Sequence, residues 1–438
     1  MIQRRVCGYS LAAFRMVFGL VGALSMARLL AYGWVDSLYT RPQRHFTYPG
    51  LRFVNDFGPV GTKALVALVG CAALGVALGW HSRAALLVFV AGFSWIEFID
   101  ATTYLNHYWF LTVVGVVLVL APVDAELALR RRAQPVTLGW IWLLRILVGS
   151  VYTYAGLAKL NADWLGSALP LRLWLPARSS LPLVGPLLAV PTVAYVLSWA
   201  GAIYDCSIVA LLCVRRTRLA GWCLVVAFHV ATWVLFPIGV FPWLMIGAAT
   251  IFFEPDWPRR LAARLPVTAA RHLPGAPAAR QPEMLAVRTP WVLAALWTVV
   301  LLLLPWRAGI VAGDARWTGE HYRFSWNVLR VEKAGDVLFR VLDLESGRWD
   351  LDTGAALYTP MQLKVMATEP ELIRQAAHAV RSERIANGAD VEVFVDAFVS
   401  LNGRPAARLI DPAVDLSREP YRIWGQPWIL PVPRQLAP

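Results

Sequence analysis

Apolar residues run along this chain in long blocks, and each block predicts a membrane-crossing helix: 9–31, 64–80, 84–99, 104–122, 138–158, 191–213, 219–237, 239–253 and 290–306. A span needs about 20 residues, with a range of about 17–25. Between them, 180–192 is interrupted by Pro182, Pro186 and Pro191, which predicts an irregular or re-entrant segment, and Pro237 and Pro242 break the chain again. Past residue 306 the period changes. Residues 322–331 and 336–342 alternate like strands, and Glu345-Ser346-Gly347 signals a turn. Residues 361–386 have helical periodicity ending at Asn387-Gly388. Residues 391–401 then alternate into an Asn402-Gly403 hairpin signal, with a return strand near 406–410. The pattern predicts a mainly α polytopic membrane protein of about nine transmembrane helices (1–306), followed by a C-terminal α+β domain (307–438).

Composition agrees. Of the 438 residues 58% are apolar and 16% charged, whereas soluble domains have about 45–50% and about 25%. Residues 1–306 hold 25 Lys and Arg against 11 Asp and Glu, and 307–438 hold 16 against 17. The basic excess thus belongs to the apolar part, where it reads as a topology signal and not as a nucleic-acid face. With nine spans, Arg4/Arg5, Arg83, Arg130–Arg132, Arg215/Arg216/Arg218 and Arg259/Arg260 fall on one side, the cytoplasmic one, which leaves 307–438 outside. The first outer loop goes against this rule by carrying Arg41, Arg44 and Arg52. The apolar run after Arg4 and Arg5 predicts a retained first span more than a cleaved signal peptide. Cys7, Cys71, Cys206, Cys213 and Cys223 form neither a CxxC pair nor a Cys/His ligand pattern, so no metal or disulfide framework is expected. Four lysines against 37 arginines suggest a GC-rich bacterial gene, hence an inner-membrane location.

Polar groups inside spans are costly and mark function by default. Asp100, the Asn106-His107 pair, Lys159, Asp205 and His229 stand out. Lys159 is the sole lysine between Lys63 and Lys333, in a chain that otherwise supplies positive charge as Arg. A buried amine can give up its proton, whereas a guanidinium cannot. The bland alternatives are an interface-snorkelling Lys159, core histidines at His107 and His229, and structural ion pairs of Asp100 and Asp205 with Arg15 or Arg145, the pairing favoured for Asp205. Many of the 21 Trp residues flank spans, as an aromatic belt would, though the same rings would also stack on a flat apolar ligand.

The stretch Gly156-Leu157-Ala158-Lys159-Leu160-Asn161-Ala162-Asp163-Trp164 resembles the lysine segment of the vitamin K-dependent gamma-glutamyl carboxylases with their HTTM-type membrane domain. Asn106-His107-Tyr108, Phe228-His229 with the following Leu235–Phe241 run, and Pro255-Asp256-Trp257-Pro258-Arg259-Arg260 are similar to further segments of that family, as are Tyr322–Trp326 and Ile410–Asp415. The resemblance implies a membrane enzyme that oxygenates vitamin K hydroquinone (reduced menaquinone or phylloquinone) with O2. The base so formed would let a peptide glutamate take up CO2, without a metal. It implies Lys159 as catalytic base with Asn106, His107 and His229 as catalytic partners. Asn106, His107, Tyr108, Tyr154 and His229 would contact the quinone, and Tyr322 and Trp326 would line the peptide route. The partners would be the bilayer, the quinone and a secreted Glu-containing peptide or protein. The chain departs from the longer animal members in having no cysteine in 307–438 and Asn327 in place of an acidic residue. A quinone oxygenase without protein carboxylation, and a non-catalytic lipid-binding or transport module, are the competing expectations.

Overall fold

The structure is a computed structural model, and it describes residues 2–132, 134–264, 284–310, 313–328 and 330–433. Its main helices are α1 (Tyr9–Ala31), α2 (Gly58–Leu78), α3 (Ser82–Phe98), α4 (Asn106–Leu120), α5 (Leu138–Lys159), α6 (Ala162–Ser167), α7 (Pro191–Cys213), α8 (Arg218–Leu235), α9 (Phe241–Ala248), α10 (Met284–Leu303), α11 (Pro360–Met366) and α12 (Pro370–Ala386). The strands are β1 (Arg5–Val6), β2 (Val136–Thr137), β3 (Lys333–Asp343), β4 (Trp349–Asp352), β5 (Val391–Leu401) and β6 (Ala407–Arg408).

Among the described residues, six stretches are long and apolar enough to cross a membrane: α1, α2, α5, α7, α8 and Thr289–Gly309. This corrects the expectation of nine full spans. The other three blocks form shorter helices for local reasons. Helix α3 has 17 residues and includes Arg83 and Glu97. Helix α4 has 15 and stops where Ala121 turns extended ahead of Pro122, as a residue before proline tends to do. The block starting at Phe241 is α-helical only to Ala248 and tightens into a 3₁₀ turn through Phe252. Segment 180–192 is irregular, with a single helical turn at Gly185–Leu188.

The helices pack closely where glycine allows it. A Cβ on Gly19 of α1 would lie 2.4 Å from the backbone nitrogen of Ala77 on α2, so α1 and α2 are in backbone contact there. One end of the bundle gathers basic segments: β1 pairs with β2, the Ser10 N–H donates to the Pro255 carbonyl at 2.9 Å, and Arg218 meets Glu254 at 3.0 Å. Arg130 joins His81 at the same end.

The opposite end carries the C-terminal domain, an antiparallel sheet in the order β4-β3-β5-β6. Strict alternation explains β5: Val391, Val393, Val395, Ala397, Val399 and Leu401 are buried on one face. Helix α12 covers that face with Leu372, Ile373, Ala376, Ala377 and Val380. The hairpin expected after β5 is present, with Asn402 and Gly403 both at positive φ (53° and 73°). Two expectations need correction. Residues 361–386 form two helices, because Pro370 starts a new one after Thr368-Glu369. Residues 322–331 include no strand among those described; instead Phe324 and Trp326 take positive φ (62° and 55°) in a run of turns.

The two parts interlock. Phe46, Tyr48 and Ala101 belong to the core of the C-terminal domain, while Trp326 belongs to that of the helical bundle. Buried Asp100 fixes this seam, accepting from Thr102 N–H at 2.8 Å and from the Gln362 amide at 2.7 Å, with His45 Nδ1 3.0 Å away.

Candidate functional site

A largely apolar cavity of about 330 Å³ lies between α5, α7 and α8. Ala200, Leu224 and Ala227 line it and are also exposed on the outside of the bundle, so its mouth opens sideways between α7 and α8. Aromatic rings dominate the wall; Tyr204 and Phe228 stack at 4.0 Å.

The charged groups on this cavity's wall form an ion pair. Lys159, the last residue of α5, points its Nζ at Asp205 Oδ2 of α7 at 2.7 Å. It also donates to the Ala155 carbonyl at 3.2 Å and lies 5.2 Å from the centre of the Trp164 ring. The helices come close enough for this because of Gly156. A Cβ there would sit 2.9 Å from Cys206 Sγ and 3.0 Å from its backbone nitrogen. The rest of the lysine motif also has identifiable work. Asn161 caps α6 by accepting from Trp164 N–H at 3.0 Å. Asp163 accepts from Asn402 at 2.8 Å and pairs with Arg404, anchoring the hairpin of the C-terminal domain. These donors hold the Asp163 carboxyl below its ordinary range, outweighing the upward push of burial.

This corrects the expected ion pairs. Asp205 pairs with Lys159, not with an arginine. Arg15 pairs with Asp124 at 3.4 Å, and Arg145 needs no carboxylate because it donates to the carbonyls of Ile251, Phe252 and Phe253. Asp100 serves the seam.

His229 of α8 lines the same cavity, its Nε2 3.0 Å from the Tyr152 hydroxyl. Its Nδ1 is buried with no hydrogen-bond partner among the described residues. Phe241 contacts both histidines, its ring centre 5.9 Å from that of His229 and 5.8 Å from that of His107. His107 contacts Phe241, which lines the cavity, but is not itself part of that lining. Asn106 faces the C-terminal domain, donating to the Asn327 carbonyl at 3.2 Å and accepting from Tyr104 at 3.0 Å.

The remaining candidates sit elsewhere. Tyr108 packs on Phe93 in the bundle core. Tyr154 is on the far face of α5, its hydroxyl bonded to the Leu302 carbonyl and receiving Trp306 Nε1–H at 3.1 Å. Trp326 is 2% exposed and packs against Phe110, so it does not border an open path. Tyr322 lines a separate cavity beside His321 and Arg323. Sequence reasoning passed over Tyr204 and held Phe241 only as the end of the Leu235–Phe241 run; it also passed over Glu97, a fully buried carboxyl bonded by Thr112 at 2.9 Å. An acidic residue inside an apolar block was the available signal for Glu97. Among the described residues no group of His, Cys, Asp and Glu is arranged to hold a metal ion.

The comparisons fit this architecture. The family model described as HTTM domain matches residues 4–257, more than half of the chain. The model for the lumenal domain of vitamin K-dependent gamma-carboxylase matches residues 288–435. No solved structure matches the chain. With both halves matched in order, the chain belongs to the vitamin K-dependent gamma-carboxylase family, built on an HTTM membrane domain.

Proposed function

We propose that this protein oxygenates vitamin K hydroquinone to its epoxide and uses the strong base so generated to carboxylate a peptide glutamate with CO2. The observation that carries the reading is the Lys159–Asp205 pair, at 2.7 Å, on the wall of an otherwise apolar and aromatic cavity. A flat bicyclic quinone head fits such walls, and His229 Nδ1, buried and without a partner among the described residues, offers it a polar contact. The hydroquinone as reductant and O2 as oxidant would supply the redox chemistry; the protein supplies orientation, dryness and a proton acceptor.

Lys159 is the acceptor in this reading. In water the pair would be ammonium and carboxylate. In a dry cavity the desolvation penalty is several kcal/mol per ion. In this reading the Lys159 proton passes to Asp205 across their 2.7 Å contact before the hydroquinone is engaged. The neutral amine then takes the hydroquinone O–H proton. His229, oriented by Tyr152, steadies charge on the ring oxygen. Asn106 and His107 act from outside the cavity lining, and Asn106 ties the start of α4 to the C-terminal domain that presents the peptide. We place 307–438 outside a bacterial inner membrane with the basic end of the bundle in the cytoplasm, in line with the clustering of Arg5, Arg130 and Arg218.

The test uses purified protein and reduced vitamin K, with the epoxide measured directly. Lys159→Ala should lower epoxide formation by about 10²–10⁴-fold. Lys159→Arg should be nearly as inactive, because a guanidinium cannot accept the proton. Wild-type activity in Lys159→Arg would make the residue a counter-ion and sink the base mechanism.

A further inference from the structure

The first loop beyond α1 breaks the charge rule that the rest of the chain obeys, with Arg41, Arg44 and Arg52 on the side away from the basic end. Arg44 and Arg52 are exposed, and among the described residues neither has a carboxylate within ion-pair distance. The C-terminal domain treats many of its arginines otherwise: Arg323 meets Glu369, Arg340 meets Asp396 and Arg384 meets Asp350, at 2.7–2.8 Å.

Both free arginines face one groove. A cavity of about 510 Å³ between this loop and α12 has Arg44 and Arg52 on its wall, together with Gln43, Asn55, His378 and Ser382. A second cavity, of about 440 Å³, continues past Arg52 toward Tyr421 and shares Thr47, Arg52, Arg374 and Gln375 with the first. Arg52 therefore sits at the middle of a groove longer than a single anion needs. Each volume is within the range of about 300–1,000 Å³ that holds a drug-sized ligand.

The groove has a fixed floor. Thr47 N–H donates to Gln375 Oε1 and the Gln375 amide donates back to the Thr47 carbonyl, each at 2.9 Å. The Gln362 amide holds the Arg44 carbonyl at 2.8 Å. The carboxylates nearby are already engaged: Asp56 faces His45 at 3.4 Å and Glu371 pairs with Arg374 at 2.8 Å. What the groove offers is two uncommitted guanidinium groups on a rigid backbone, flanked by amide and hydroxyl side chains suited to a peptide backbone.

We propose that this groove is a docking site for an acidic stretch of peptide, separate from the cavity around Lys159. The proposal rests on the reading that a peptide glutamate is the substrate, and it identifies that peptide as one with several carboxylates around the reacting one. Electrostatic attraction would raise the capture rate of such a chain. A lipid headgroup is the less suitable occupant, because Gln43, Asn55, His378 and Ser382 around Arg44 give an acyl chain no apolar wall, and the apolar side chains Phe53 and Tyr421 lie only along the second cavity.

The test uses the full chain in phosphatidylcholine nanodiscs and a fluorescent peptide with a single Glu flanked by Asp residues, against the same peptide flanked by Asn. Binding is followed by anisotropy, which needs no turnover. The Asp-flanked peptide should bind more tightly than the Asn-flanked one. The double variant Arg44→Gln/Arg52→Gln should weaken the Asp-flanked peptide about tenfold, leaving the Asn-flanked peptide and quinone epoxidation unchanged. Arg44→Lys/Arg52→Lys should restore most of the binding, and added salt should weaken it. Equal affinity of wild type and the Gln variant for the Asp-flanked peptide would overturn the proposal. So would a Gln variant that, in a second set of nanodiscs carrying phosphatidylglycerol, loses only retention of that lipid, which would make the groove a lipid site. If wild type forms epoxide yet carboxylates neither peptide, the carboxylase reading fails on its own, and the anisotropy still decides the groove.

Discussion

Removing one member of the Lys159–Asp205 pair should cost far more than removing both. The side chains are 7% and 4% exposed, so neither has water to fall back on. Breaking a buried pair from one side typically costs about 3–5 kcal/mol, whereas replacing both members with apolar side chains is often neutral or stabilising by about 1–4 kcal/mol. The structure also predicts an asymmetry. Without Asp205, Lys159 keeps its bond to the Ala155 carbonyl at 3.2 Å and its place over Trp164. Without Lys159, the Asp205 carboxylate has no other hydrogen-bond donor among the described residues. Lys159→Met should therefore lie at the upper end of the range and Asp205→Leu about 1 kcal/mol lower, since one neutral hydrogen bond is worth about that much. The double variant should recover most of the loss. Denaturant unfolding in detergent micelles, followed by tryptophan fluorescence, yields the four free energies of the cycle. Simple additivity of the two single losses would show that the pair is not the interaction described here.

Three further outcomes follow from the geometry. Gly156→Ala should push α5 from α7 at Cys206, costing about 1–3 kcal/mol and lowering epoxide formation in a protein that still inserts; unchanged turnover would separate Lys159 placement from this close approach. Burial pulls the His45 pKa down, but its contacts with Asp100 and then Asp56 raise it further, so the net shift is upward. The contribution of protonated His45 to the seam is thus complete below its unfolded value of about 6.5 and is lost as pH rises through the higher folded value. Hydrogen exchange in 41–56, corrected for intrinsic rate, should quicken over that window in wild type and stay flat in His45→Gln. Trp326→Ala should lose about 3–5 kcal/mol of stability and both activities together, because the ring fills the bundle core; loss of carboxylation alone would return it to the peptide path.

The long apolar blocks were legible because sustained apolar length alone marks a span: 9–31 and 191–213 coincide with α1 and α7. Alternation likewise gave β5, whose inward face is almost all Val. The same rule misread 322–331. There Phe324 packs on Tyr104 and Trp109 across the seam, and those contacts hold the backbone at a positive φ that no local pattern encodes. The partner of Asp205 was equally hidden. Three embedded cations could have met it, and the choice depends on which carbonyls satisfy Arg145 and on one missing Cβ at Gly156. Lys159 itself was readable because lysine was spent so sparingly elsewhere in the chain.

The sideways mouth between α7 and α8 has a kinetic consequence. A ligand reaching the cavity through that opening is drawn from the plane of the bilayer, so the concentration that governs occupancy is its mole fraction among lipids. Diluting proteoliposomes tenfold with buffer should leave turnover per enzyme unchanged. Adding the same amount of quinone to twice the lipid should slow it. An apparent KM quoted per litre would then vary with every preparation, while one quoted per lipid would not.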